Sequence, residues 1–256
     1  MKYYKQLLHK GIFTFNDIVE MTSNRGTAYS LVRDYLQRGY IKSIRRNLYT
    51  AVSLETGQAV AGKYQIGSKV NKTAYISHHS AFEFYGLANQ VFYEIYVSSK
   101  NRFSDFEFEG ISYKCVLAKI DEGVAEPKNC DGTRVTELER TVIDSIKDFE
   151  KIGGLEELLR CLDLVTYLDE EKLIKYLDLY NLQVLYQKTG YILEHFKESI
   201  KLSAGFFEVC KGKVGKSTRY LYTGVENDDA IYNSQWQLIV PKALLEVTKK
   251  GGGELV

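Results

Sequence analysis

The 256-residue chain is poor in the residues that mark special architectures. It contains two prolines, one tryptophan and four cysteines, and its 34 Lys and Arg almost balance its 33 Asp and Glu. With 45% hydrophobic residues it holds enough apolar material for a core, which excludes a disordered or collagen-like chain. Cys115, Cys130, Cys161 and Cys210 are far apart in sequence. None belongs to a close pair of the kind that clamps zinc, so they read as reduced packing residues rather than metal ligands or a disulfide framework. No run of about 18 uncharged apolar residues is present, and the opening MKYYKQLLHKG is charged where a secretory signal needs an apolar stretch. The expectation is a soluble cytoplasmic protein of one to three domains with no membrane partner, taking about 150 residues per domain.

Charge is unevenly distributed. The first fifty residues carry nine basic side chains (Lys2, Lys5, Lys10, Arg25, Arg33, Arg38, Lys42, Arg45 and Arg46) against three acidic ones (Asp17, Glu20 and Asp34). The remainder of the chain is mildly acidic. A compact basic segment ahead of an acidic body points to nucleic acid as the partner of that segment alone.

Three short helical patterns precede residue 40. Tyr4, Leu7 and Leu8 fall at helical spacing and end at Gly11. Thr14 and Asp17 have the spacing of a capping box, ahead of Phe15, Ile18 and Val19. A turn, Thr22-Ser23-Asn24, leads to a third helix for which Asn24 is the expected N-cap. Ala28, Leu31, Val32, Tyr35 and Leu36 would form its apolar stripe, with Gly39 as the stop. The opposite side centres on Gly26, Ser30, Arg33 and Gln37, flanked by Arg25, Thr27 and Tyr29. A polar helix face of this kind, behind a short turn, predicts a recognition helix for the major groove.

Tyr40 to Ile44 and Leu48 to Val52 then read as a β-hairpin with Arg45-Arg46-Asn47 at its tip. Such a tip suits a wing reaching phosphates or the minor groove. The expected DNA-binding residues are therefore Asn24, Arg25, Thr27, Tyr29, Ser30, Arg33, Lys42, Arg45, Arg46 and Asn47.

The expected organisation is α+β: a winged helix-turn-helix at residues 1–55, a linker or a loosely packed helix at 56–71, a larger mixed α/β body with a helical subregion at 72–250, and a loose tail at 251–256. Within the body, strands are predicted near 73–76, 94–98, 106–108, 113–116, 206–210, 219–222 and 236–240. Helices are predicted over 77–85, 136–149, 155–168, 170–180 and 184–200. Gly190 lies inside the last of these, where only close packing would justify the cost of about 1 kcal/mol. Arg140 and Asp144, four apart, read as a surface ion pair. His78-His79 is read as a helix start with Ser77 as the cap, because adjacent helical residues diverge by about 100° and no further ligand stands nearby.

Two catalytic patterns fail. Gly215-Lys216-Ser217 resembles the end of a phosphate-binding loop, but Cys210 occupies the place of its first glycine, so a basic hairpin is favoured. Asp105, Glu107, Glu109 and Lys114 lack the spacing of a Mg²⁺-dependent nuclease site. The chain is thus expected to be non-enzymatic, with no cofactor and no metal.

Four segments in order carry a family resemblance: the basic module ending Arg45-Arg46-Asn47-Leu48-Tyr49, the run Ile76 to Leu87, Glu139-Arg140-Thr141-Val142-Ile143-Asp144, and Lys188-Thr189-Gly190-Tyr191-Ile192-Leu193-Glu194. Trp236 to Val240 matches more weakly, Pro241 standing where the family tends to have Asn. Together they resemble AbiEi-like antitoxins, the transcription-regulator components of type IV abortive-infection toxin-antitoxin systems. The resemblance implies a repressor that binds operator repeats in double-stranded DNA upstream of its own operon, with self-association on DNA, and that antagonises a nucleotidyltransferase-like toxin. Direct contact with that toxin is not implied. A competing reading, from another class, makes the body a nuclease or nucleotide-dependent enzyme delivered to DNA by the N-terminal module. A third makes the basic face a site for an acidic protein.

Overall fold

The computed structural model describes residues 2–225 and 229–242. The expected tail at 251–256 lies outside them. The protein is a mixed α/β chain of the α+β kind, and it divides into two compact units whose boundaries differ from those expected from the sequence. The first comprises Met1–Ile76, Tyr93–Ala118 and Glu126–Val135; the second comprises Ser77–Phe92, Lys119–Ala125 and Thr136–Val256.

The first unit opens with α1 (Tyr4–Lys10), β1 (Ile12–Thr14), α2 (Phe15–Thr22) and α3 (Arg25–Gln37), followed by β2 (Ile41–Arg45) and β3 (Leu48–Ala51). The three strands form an antiparallel sheet in the order β1-β3-β2. Tyr4, Leu7, Phe13, Ile18, Ala28, Val32, Tyr35, Ile41 and Ala51 make one buried cluster, so each helix contributes the stripe its spacing predicts. Leu36, expected on that stripe, is exposed. Strand β1 is too short to announce itself; Ile12 and Phe13 become a strand only because β3 offers a free edge.

Residues 56–71 are not a linker. They contain α4 (Lys63–Ser68), in which Ile66, Gly67 and Ser68 are buried. A Cβ at Gly67 would stand 2.7 Å from Ile76 Cδ1 and 3.0 Å from Val97 Cγ2, so glycine is what lets this helix lie on the sheet. That sheet contains β4 (Tyr75–Ile76), β5 (Glu94–Ser99), β6 (Phe106–Phe108), β7 (Ile111–Leu117) and β9 (Val135–Thr136). The order within the unit is β6-β7-β5-β4-β9. β5 runs parallel to β7 and antiparallel to β4, and Ile76 pairs in parallel with Val135.

The second unit is mainly helical: α5 (His79–Phe84), β8 (Val124–Ala125), α6 (Leu138–Lys147), a 3-10 turn (Phe149–Ile152), α7 (Leu155–Asp163), α8 (Glu170–Tyr180), α9 (Gln183–Glu194), α10 (Lys197–Ile200) and α11 (Ala204–Gly212). A small sheet of β10 (Arg219–Tyr220), β11 (Ala230–Asn233) and β12 (Leu238–Pro241) follows, in the order β10-β12-β11.

The structure also departs from the sequence expectations in the second unit. Residues 206–210 are helical: Ser203 accepts a hydrogen bond from the Phe206 N–H as N-cap, and Phe206, Phe207 and Cys210 are buried at helical spacing. Residues 211–219 form no basic hairpin, because β10 pairs in parallel with β12. The N-cap position of α5 is His78, at φ 54°, and the Ser77 hydroxyl bonds the His78 Nδ1 instead of capping the helix. Arg140 and Asp144 are buried rather than at the surface. Arg140 Nε donates to Asp144 Oδ1 at 2.8 Å and its Nη1 to the Glu122 carbonyl at 2.5 Å, while the Tyr180 hydroxyl donates to the same Asp144 oxygen.

The expected close approach at Gly190 is present. A Cβ there would stand 2.1 Å from the Trp236 ring, which is itself buried against α9 and donates its indole N–H to Glu194. The four cysteines are free. Burial pushes the Cys161 and Cys210 thiols up to about 12, as suits packing residues rather than nucleophiles. Among the described residues no helix is long and apolar enough to cross a membrane.

Candidate nucleic-acid interface

The start of α2 is built by a capping box. The Thr14 hydroxyl accepts from the Asp17 N–H, and the Asp17 carboxylate accepts from the Thr14 N–H at 2.6 Å. Burial alone would raise the Asp17 carboxyl, but hydrogen bonds from Lys10 and Thr14 outweigh it and hold the group below its ordinary range. α2 ends at Thr22, Ser23 adopts a left-handed conformation (φ 54°), and Asn24 returns the chain to an extended one. Asn24 Oδ1 then accepts from the Thr27 N–H at 2.9 Å. Ser23 and Asn24 alone separate α2 from α3, one residue fewer than the sequence suggested.

With Ala28, Val32 and Tyr35 buried beneath it, the outer face of α3 exposes Arg25, Gly26, Thr27, Tyr29, Ser30 and Arg33. The phenol of Tyr29 lies 4.4 Å from the Phe15 ring, centroid to centroid, and the Arg25 guanidinium sits 5.8 Å and 5.9 Å from the two rings. Phe15 was not anticipated as part of this face. Its spacing marks it as apolar, but only the turn between α2 and α3 brings it under Tyr29. The two rings thus flank Arg25 at cation–π distance.

The hairpin tip is divided in role. Arg46 is exposed. Arg45 instead lies over Phe103 and Phe106, 5.5 Å and 5.1 Å from their centroids, with Nη1 buried; a register shift between Ser43 and Arg45 turns its side chain toward β6. Asn47, at φ 65°, supplies the turn, and its Oδ1 accepts from the Phe15 N–H at 3.1 Å. It therefore ties the hairpin to the start of α2. Lys42 is half-buried and paired with Glu109 at 2.5 Å. Asn24 is consumed by its cap. Of the ten residues singled out from the sequence, Arg25, Thr27, Tyr29, Ser30, Arg33 and Arg46 stand exposed on α3 or at the tip without such structural duties, whereas Asn24, Lys42, Arg45 and Asn47 have internal partners.

Ion pairing sharpens the charge pattern. Lys10 pairs with Asp17, Arg38 with Asp34 and Lys42 with Glu109. Among the described residues, Arg25, Arg33 and Arg46 have no carboxylate within salt-bridge distance. Lys2, Lys5 and Arg45 likewise have none, so the positive charge not compensated locally lies at the start of the chain as well as on the outer face of α3 and at the hairpin.

Neither a protein-family profile nor a curated protein sequence matches the chain. Among solved structures, the crystal structure of the RV2827C protein from Mycobacterium tuberculosis aligns over 95% of this chain and 90% of that one, with a TM-score of 0.66 and 14% identity. The likeness is one of fold.

Asp105 and Glu94 flank Lys114 at 3.8 Å and 3.9 Å. Among the described residues no cluster of three or more His, Cys, Asp or Glu side chains could hold a metal.

Proposed function

We propose that residues 4–51 form a winged helix-turn-helix and that the chain is a cytoplasmic, sequence-specific repressor that binds double-stranded DNA. In this reading α3 enters the major groove, Arg33 and Ser30 read base edges, Arg25 and Tyr29 position the helix against the backbone, and Arg46 on the hairpin neutralises a phosphate. The observation that carries the reading is the capped, polar outer face of α3, on which Arg25 and Arg33 stand exposed without acidic partners. The four sequence segments described above extend it: the chain acts as an AbiEi-like antitoxin, represses its own operon from upstream repeats with self-association on DNA, and antagonises a nucleotidyltransferase-like toxin.

The test is binding of the full chain to a fragment from upstream of its own gene and to an unrelated fragment of equal length, across a salt series. Preferential binding at physiological salt, lost in Arg25→Ala/Arg33→Ala, is the expected result. Arg46→Ala should weaken both fragments alike and reduce the salt slope by about one. Equal, salt-labile binding of both fragments by the wild type would reject sequence-specific recognition.

A further inference from the structure

The second unit holds a cleft of about 530 Å³ that the DNA-binding reading does not use. It is lined by the end of α6, the 3-10 turn, the start of α7, Lys188 of α9 and the Tyr222-Thr223 turn. Its charge is unusual. Lys147 and Lys151 place their ammonium groups 2.6 Å and 3.3 Å from the same oxygen of Asp148, and His78 Nε2 lies 3.6 Å from that oxygen. Lys188 projects into the cleft over the Phe149 ring, 5.1 Å from its centroid, and no carboxylate lies within salt-bridge distance of it among the described residues. Three lysines therefore face one inward carboxylate. The other acidic residue of the lining, Glu150, is exposed.

The arrangement displaces both kinds of group from their ordinary pKa ranges. Burial would raise Asp148, but hydrogen bonds from His78 and Lys147, with the charges of Lys147 and Lys151, hold its carboxyl well below the ordinary range. Burial pulls the Lys188 ammonium below its ordinary value, and Asp148 only partly opposes this. An incoming anion would relieve the Lys188 charge that the fold leaves undercompensated.

The remaining walls are partly aromatic. Phe149 and Tyr222 meet edge to face with centroids 6.4 Å apart. Gly154, at φ 96° and ψ −178°, precedes α7 with no side-chain cap; its own N–H is taken by the Phe149 carbonyl at 2.9 Å, and Leu155, the first residue of the helix, also lines the cleft. The volume lies within the roughly 300–1,000 Å³ range of small-molecule sites.

We propose that this cleft binds a nucleoside phosphate, with Lys147, Lys151 and Lys188 on the phosphates and Phe149 and Tyr222 against the base. This site is separate from Gly215-Lys216-Ser217 and independent of the DNA-binding reading.

The experiment is calorimetric titration of the full-length protein, without DNA, using ATP, CTP, inorganic pyrophosphate and a short non-specific duplex as probes. Lys188→Gln and Lys151→Gln are compared with the wild type, and Lys188→Arg retains the charge. The expected result is saturable binding of at least one nucleotide, weakened about tenfold by each Gln variant and largely restored by Lys188→Arg, on the scale of one charge-assisted contact. Lys151, half-exposed on the 3-10 turn, keeps the test valid if Lys188→Gln unfolds. Absence of nucleotide binding, nucleotide affinity unchanged in the Gln variants, pyrophosphate binding as tight as that of nucleotide, or loss confined to the duplex would each overturn the proposal.

Discussion

Two ion pairs with the same spacing have opposite fates in this protein. At the end of α3, Arg38 and Asp34 pair at 2.7 Å with 61% and 46% of their side chains exposed; in α6, Arg140 and Asp144 pair at 2.8 Å with 1% and 2% exposed. The spacing and the N–O distance are shared, although the order of acid and base along the helix is reversed, and the surroundings differ most. On α3 only one side of the helix is covered, so charged residues stay in water and the outer face is available to a ligand. On α6, α5, α8 and α9 all pack against the helix, and Arg140 spends its donors on Asp144 and the Glu122 carbonyl. A polar helix residue marks a working surface only where nothing else covers it.

The sharpest way to break this comparison is to remove both arginines in turn. Arg140→Ala leaves Asp144 as an uncompensated buried charge and should cost about 3–5 kcal/mol in chemical denaturation. Arg38→Ala, whose pair stays in water, should leave the denaturation midpoint almost unchanged. Similar losses from the two would mean that burial is not what separates them. Next in size, Gly190→Ala forces a methyl into the Trp236 ring and should destabilise by about 1–3 kcal/mol. Its effect should appear as a shift of Trp236 fluorescence together with a lower unfolding midpoint. Asn24→Ala removes the α3 cap at a cost of about 1 kcal/mol. If α3 is the recognition helix, operator affinity should fall in the same variant, because the frayed turn carries Arg25 and Thr27; affinity that stays intact while stability drops would separate the cap from the interface.

The smallest expected effect is one of pH. Because the folded Asp148 carboxyl titrates below its ordinary 3.8, its contribution is fully present above that value. It is lost as pH falls from the ordinary carboxylate range toward the folded value. The stability gap between wild type and Asp148→Asn should therefore be constant from pH 7 to about pH 5 and narrow on further acidification. A gap that widened in acid would reverse the assigned sign.

Much of the first unit was legible because its signals are local. The Thr14–Asp17 capping box and the Asn24 cap each operate within three residues, and both occur where the sequence places them. Helix α8 likewise covers the predicted 170–180 span, opened by Asp169. The hairpin was legible, yet its tip was not: one register shift sends Arg45 onto Phe103 and Phe106, and Asn47 bonds a backbone group 32 residues away. Phe206 to Cys210 was misread because five mostly apolar residues fit a buried strand as well as a helix, and Ser203, the cap that decides, lies outside the run.

The sequence by itself determined the caps, the apolar stripes and the basic character of the first fifty residues, since each depends on neighbours within about one helical turn. It also announced that something must lie close to Gly190. Only the tertiary structure decided that Trp236 is what lies there, that α4 belongs to a core, that Arg140 is buried, and that Lys147 and Lys151 converge on Asp148 in a cleft they share with Lys188. These outcomes depend on which distant elements cover a given face, and coverage sets both the dielectric around a charge and the partners it can reach.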